Sequence, residues 1–407
     1  MTEHAPIAGR KIRFALVGCG RISANHFTAI ERHADRAELV AVCDTDQAAL
    51  DKAVARTGVK GFRSLEALLA GSDADAVILA TPSGLHSVQA VAAAAAGRHV
   101  ITEKPMATRW QDGKRMVEAC DEAGVQLFVV KQNRRNPTLQ LVKRAIEKQR
   151  FGKIHLVTLN VFWNRPQSYY DSARWRGTWE FDGGAFMNQA SHYVDLMDWL
   201  VGPVESVQAY TATLARNIQV EDTGVANIRW RSGALGSINV TMLTYNKNFE
   251  GSLTIIGEKG TVRLGGVAVN EIQHWEFADV DPDDARVKDA SYETTSVYGF
   301  GHPLYYDNVI SSLRGDAAAE TDGREGLRSL ELLIAIYLSA RDGTRVGLPL
   351  EYSRGRGGEG QTIRFVIPRE RSDRGIWAKG GRHDRSRANP DRGLPGDGAG
   401  AEAGACL

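Results

Sequence analysis

Residues 11–23 read KIRFALVGCGRIS, an apolar run that stops at two glycines and resumes as the start of a helix. No other feature constrains the fold of this chain as strongly. A strand that ends in Gly-x-Gly and feeds a helix lets backbone N–H groups approach an anion at the helix N-terminus, which is how a dinucleotide pyrophosphate is held. Gly18 and Gly20 supply the turn, Arg21 and Ile22 lead into the helix, and Ser23 stands where a third Gly or Ala usually lets helix pack on strand. The fingerprint is therefore incomplete, and taken alone it also fits an ordinary strand-to-helix turn.

The junction opens a repeated pattern. Apolar runs at Lys11–Val17, Glu38–Cys43, Ala76–Ala80, His99–Thr102 and Gln126–Val130 read as strands of a buried parallel sheet, with helical stretches between them. One such stretch, Ser87–Ala96, is rich in alanine and meets a stop at Gly97. This alternation predicts an α/β Rossmann domain over residues 1–132, with its ligand at the carboxyl ends of the strands. After about Asn136 the pattern changes. A helix at Leu139–Lys148 is followed by alternating segments at Ile154–Phe162, Val204–Thr213, Thr223–Trp230, Leu235–Thr244, Ser252–Gly257 and Gly260–Leu264. Without long helices between most of them, these predict a mainly antiparallel sheet in a second, α+β domain over residues 133–352. A last helix, Glu325–Arg341, sets Leu327, Leu330, Leu333, Ile334 and Tyr337 on one face as a core stripe. Residues 353–407, rich in Gly, Arg, Asp and Pro, are expected to be a disordered tail.

Two domains leave a cleft, and the charge balance says what kind of partner enters it. With 50 basic against 49 acidic residues, the chain lacks the positive field that nonspecific nucleic-acid binding requires, so a small molecule is expected. Cys19, Cys43, Cys120 and Cys406 lack metal-ligand spacing, and no metal is expected. No apolar signal region precedes Lys11 and no stretch approaches about 20 apolar residues, so neither export nor a membrane is expected, and the reduced thiols fit the cytoplasm.

Three features then converge on one end of the first sheet, and a fourth stands in the second domain. Asp44 ends the second strand, placed to bond the adenosine ribose hydroxyls and to repel a 2′-phosphate, which favours NAD over NADP. Thr81 and Pro82 close another strand beside the expected nicotinamide ribose, with His86 at the following helix start, where a plain capping role is the competing reading. Glu103-Lys104-Pro105 follows the strand ending at Thr102; a lysine there donates to a substrate oxygen and stabilises a developing alkoxide. In the second domain, Gly183-Gly184 precedes a stretch whose Asn188, His192 and Asp195 share a face if it is one helix. The imidazole would then sit beside a carboxylate able to orient it.

Together these features resemble the Gfo/Idh/MocA family of nucleotide-dependent oxidoreductases, over about Lys11 to Leu350. Members usually carry Asp four residues before the histidine, where this chain has Asn188. Lys131–Pro137 and Gly183–His192 look like the subgroup that oxidises UDP-N-acetylglucosaminuronate at C3, for diaminated uronic acids of bacterial surface polysaccharide and O-antigen. The resemblance implies that NAD takes hydride from C3, Lys104 binds the 3-hydroxyl, His192 takes its proton and Asn188 positions the ring. Gly18, Gly20, Arg21, Ile22, Asp44, Thr81, Pro82, His86 and Glu103 would form the cofactor site. Arg165 and Tyr169 are candidate sugar contacts, though a loop packed over the sheet fits them equally, and Lys247 is a candidate for phosphate. Some subgroup members reoxidise NADH with 2-oxoglutarate, and a homodimer or homotetramer is implied. The alternatives are a dehydrogenase of another sugar or polyol such as inositol, and a noncatalytic NAD sensor. A sensor would not need Lys104 and His192.

Overall fold

Unbroken apolar runs have no solvent face to offer, so a sheet built from them must be covered on both sides. In the computed structural model, which describes residues 4–294, 297 and 299–350, that sheet has six strands. They are β1 (Ile12–Val17), β2 (Ala37–Cys43), β3 (Lys60–Phe62), β4 (Ala76–Leu79), β5 (His99–Thr102) and β6 (Leu127–Val129). The order is β3-β2-β1-β4-β5-β6 and every pairing is parallel. Chain direction across the sheet reverses between β1 and β4, which opens a crevice at their carboxyl ends. The edge strand β3 was not legible in the sequence, because Lys60-Gly61-Phe62 contains no apolar run.

The second sheet has eight strands: β7 (Ile154–Phe162), β8 (Val204–Ala212), β9 (Thr223–Trp230), β10 (Leu235–Thr241), β11 (Glu250–Gly257), β12 (Gly260–Gly265), β13 (Glu271–Phe277) and β14 (Val346–Gly347). Their order is β13-β12-β11-β7-β10-β9-β8-β14. All neighbours are antiparallel except β7 and β10. That exception has a topological cause: the chain leaves β7 through the long segment 163–203 instead of a hairpin, and β7 is left to pair in the middle of the sheet. Sequence patterning missed β13, whose seven residues are all exposed or half-buried with none in the core, and the two-residue β14.

Helices Ser191–Val201 and Gly323–Asp342 cover one face of this sheet. The second starts with Asp322 accepting from Glu325 N and ends at Gly343 in the left-handed conformation. Its stripe Leu330, Leu333, Ile334 and Tyr337 is buried as expected, while Leu327 is only partly covered. The same helix packs on β8, on β6 and on helix Trp110–Glu122 of the first sheet, so one element serves both cores. Both sheets belong to one compact unit. The expected tail, 353–407, lies outside the described residues. Among those residues no helix is long and apolar enough to cross a membrane.

Candidate functional site

The glycine turn fits its anion-binding role for steric reasons. Gly18 has φ +96°, and a Cβ on it would lie 2.6 Å from Ala80 O, so the loops after β1 and β4 touch with no room for a side chain. Ser23, the imperfect third position, is absorbed because its hydroxyl turns back to donate to Gly20 O at 2.7 Å. Helix Ser23–Glu31 has no side-chain cap and no acid in its first turn, which leaves its N-terminus fit for a pyrophosphate. Asp44 accepts from Cys19 N through Oδ2 (2.7 Å) and from Asp46 N through Oδ1 (2.8 Å), so its carboxylate is pinned to the turn. A cleft of about 660 Å³ opens here. It is lined by Gly18, Gly20, Arg21, Ile22 and Asp44, by Thr81 and Pro82 after β4, and by Glu103 and Lys104 after β5.

His86 does not line that cleft. It is fully buried, with Nε2 2.9 Å from Thr81 O and Nδ1 3.0 Å from Pro105 O. Burial pushes the ring toward its neutral form. A neutral imidazole donates to one of these carbonyls at a time, and in that place it joins the two cofactor-side loops.

Lys104 reaches from the loop after β5 to the segment that follows Gly183-Gly184: its Nζ donates to Asn188 O at 3.0 Å. Behind it, Glu103 Oε2 accepts from Lys104 N (3.1 Å) and Oε1 accepts from His26 Nε2 (3.1 Å), while His302 Nε2 is 3.7 Å away. Burial alone would raise this carboxyl, but the hydrogen bond from His26 and the nearby His302 ring outweigh it and hold Glu103 well below the usual range. With Nε2–H given to Glu103, His26 Nδ1 is free to accept from Tyr306 OH at 2.8 Å.

The stretch after Gly183-Gly184 is not one helix, and the face-sharing expectation is corrected on that point. Ala185–Gln189 forms a π-turn closed by Ala190 N donating to Ala185 O, and the α-helix begins afresh at Ser191. Side chains cap the start of this turn, where N–H groups have no internal partner: Glu221 Oε1 accepts from Phe186 N at 2.9 Å and Tyr337 OH accepts from Met187 N at 3.0 Å. Gly184 is required, since a Cβ there would lie 1.7 Å from Glu221 Oε2.

Asp195 does not orient His192, a second correction. It is taken by a bidentate Arg134 (2.7 and 2.8 Å) and by Ser329 (2.6 Å), with Lys131 Nζ at 3.4 Å. His192 instead meets the Gln132 side-chain amide, 3.0 Å from Nε2, and its buried Nδ1 has no partner among the described residues. The contacting atom is Gln132 Nε2, whose N–H donates to His192 Nε2, so the neutral ring carries its own proton on Nδ1. Burial, with the charges of Lys104 and Lys131, holds the imidazole well below its ordinary pKa and hence neutral.

A second cavity, about 640 Å³, adjoins the first and shares Arg21, Ile22 and Tyr169 with it. Arg165 lines it, its guanidinium 5.2 Å from the Trp163 ring and 5.5 Å from the Tyr169 ring, with Nε donating to Gln189 Oε1 at 2.8 Å. Trp163 itself is core, and of the turn after β10 it is Asn248, not Lys247, that lines the cavity. Gln132, His26 and His302 were missed in the sequence. Gln132 follows directly on the run ending at Val130, so the rule that ligands sit at strand ends was a signal for it.

The chain matches the family described as "Oxidoreductase family, NAD-binding Rossmann fold" over residues 12–131, and "Oxidoreductase family, C-terminal alpha/beta domain" over residues 143–348. It is 29% identical over 357 residues to a D-apiose dehydrogenase of Paraburkholderia graminis, covering 83% of this chain and 90% of that protein. Among solved structures it is similar to the WlbA dehydrogenase from Bordetella pertussis in complex with NADH and UDP-GlcNAcA. That likeness has 72% identity, a TM-score of 0.83, and coverage of 85% of this chain and 100% of that one. The WlbA dehydrogenase from Chromobacterium violaceum, also with NADH and UDP-GlcNAcA, is 70% identical, with a TM-score of 0.83 and coverage of 86% and 100%.

Proposed function

The chain belongs to the Gfo/Idh/MocA oxidoreductase family, and on that premise we propose that it is the NAD-dependent dehydrogenase that oxidises the 3-hydroxyl of UDP-N-acetyl-D-glucosaminuronate. The observation that carries this reading is the likeness, over 85% of the chain, to a dehydrogenase solved with NADH and UDP-GlcNAcA. NAD is the cofactor, and when bound its nicotinamide accepts the hydride that leaves C3. The residues of this chain do the rest. The helix N-terminus after Gly20 takes the pyrophosphate, and Asp44 takes the ribose hydroxyls. Thr81, Pro82 and Glu103 shape the nicotinamide end. Lys104 donates to the 3-hydroxyl oxygen and stabilises the charge that grows on it. His192, held neutral by its burial and set in orientation by the Gln132 amide at Nε2, takes the hydroxyl proton. Asn188 positions the ring as a neutral neighbour to the substrate carboxylate. The second cavity, with Arg165 and Tyr169, receives the uronate and nucleotide side of the substrate.

The test is NADH formation from NAD with UDP-N-acetylglucosaminuronate, UDP-N-acetylglucosamine, free glucuronate and inositol, each with and without 2-oxoglutarate. Turnover is expected with the UDP-uronate alone. Turnover with inositol instead would move the assignment to a polyol dehydrogenase. Stimulation of the UDP-uronate reaction by 2-oxoglutarate would identify it as the NADH reoxidant.

The enzyme works in the cytoplasm on this reading, supplying a 3-oxo nucleotide sugar for surface polysaccharide, and the free thiols of Cys19, Cys43 and Cys120 are consistent with a reducing compartment. It is a homo-oligomer. Support comes from the uncovered face of the second sheet, where Ile256, Leu156 and Leu235 stand side by side across β11, β7 and β10, 38–49% exposed, and Tyr210 pairs with Val225. A contiguous apolar patch of this kind marks an interface. Light scattering is expected to give a dimer or tetramer mass for the wild type, and Leu156→Lys with Leu235→Lys to give smaller species; a monomeric wild type overturns the assignment.

A further inference from the structure

Asp182 directly precedes Gly183-Gly184 and is 2% exposed. Its Oδ2 accepts from Gly177 N at 2.6 Å and its Oδ1 accepts from Asn188 Nδ2. With the Asn188 amide nitrogen held on that side, Asn188 Oδ1 is turned the other way, 3.3 Å from Gln189 Nε2. Gln189 in turn meets Arg165 and the Tyr169 hydroxyl. The backbone oxygen of this same Asn188 is the one that receives Lys104 Nζ. We propose that Asp182 is a positioning residue of the dehydrogenase site, whose carboxylate fixes the Asn188 amide and, through Asn188, the place of the Lys104 ammonium.

Closing the local loop does not by itself account for a buried acid. Asp182 N and Gly183 N both donate to Thr178 O, and Gln219 N donates to Gly177 O, so backbone bonds already shape segment 177–183. The carboxylate is also kept at a cost. Burial pushes Asp182 up to about 6, against the pull of its donors at Gly177 and Asn188 and of the Arg176 and Lys104 charges. An apolar side chain would avoid that cost but would leave the Asn188 amide free to rotate.

The inference rests on the roles given above to Lys104 and Asn188, so the experiment separates the two. Asp182→Ala and Asp182→Asn are compared with wild type for kcat, KM and NADH affinity. Misplacing a reacting group by about 1 Å costs on the order of 100-fold. Asp182→Ala is therefore expected to lower kcat about 10- to 100-fold with NADH affinity unchanged. Asp182→Asn recovers most of the loss, because its amide oxygen still accepts from Asn188. Wild-type kcat in Asp182→Ala, or a loss that Asp182→Asn does not recover, overturns the proposal. Absence of wild-type turnover counts against the assigned reaction alone. A crystal structure of Asp182→Ala then decides: Asn188 and Lys104 displaced supports the proposal, and both unmoved overturns it. Should Asp182→Ala not fold, Asp182→Val carries the same comparison.

Discussion

Lys104→Met is expected to lower kcat on the UDP-uronate about 1,000-fold, roughly 4 kcal/mol of transition-state stabilisation, while NAD binding stays near wild type. Methionine keeps the length and apolar stem of the lysine but removes the ammonium, so the 3-hydroxyl oxygen loses its donor as the hydride leaves and negative charge accumulates. The cofactor turn is built on β1 and β2 and does not depend on Nζ, which meets Asn188 O across the cleft. Steady-state kinetics and an NADH fluorescence titration, run side by side, separate the two effects. Equal losses in binding and turnover, or turnover within a few-fold of wild type, would remove Lys104 from the proposed chemistry.

The second large effect falls on the base. His192→Gln is expected to cost about 100- to 10,000-fold in kcat, the range for loss of a positioned proton acceptor. The sign of its pH dependence follows from its surroundings. Burial, Lys104 and Lys131 all disfavour the imidazolium and hold the group well below its ordinary pKa, so the basic form persists as pH falls through the usual histidine range. Wild-type kcat/KM should accordingly stay flat across that range, with the limb due to His192 lying on its acidic side. In His192→Gln that limb disappears and the residual rate rises with hydroxide. A wild-type limb at the ordinary histidine position, unchanged in the variant, would assign the titration to another group.

Much of the site could be read from the chain because it lies where apolar runs end. Gly18, Asp44, Thr81 and Lys104 each follow a buried strand, and a parallel sheet gathers those ends on one side whatever the loops do between them. What could not be read are partnerships made by distant parts of the chain. Spacing places Asp195 beside His192 on a helix, but Asp195 is claimed by Arg134, 61 residues earlier, and by Ser329, 134 residues later. The sequence carries no local trace of either contact. Helical periodicity also fails at Ala185–Gln189, where Ala190 N reaches back five residues to Ala185 O and the α-helix starts again at Ser191. The short edge strands β3 and β14 were lost for a simpler reason: two or three residues contain no period.

The pinning of Asp44 bears on how this enzyme could be re-engineered. Because both carboxylate oxygens are bonded to main-chain N–H groups of Cys19 and Asp46, the side chain cannot swing aside to admit a larger, phosphorylated ribose. On the role proposed for Asp44, coenzyme choice then depends on the backbone as much as on one residue. Exchanging Asp44 for a small neutral side chain would lift the repulsion but also release the glycine turn it steadies. A variant that prefers the phosphorylated coenzyme needs a replacement for those two lost anchors as well as a new cation.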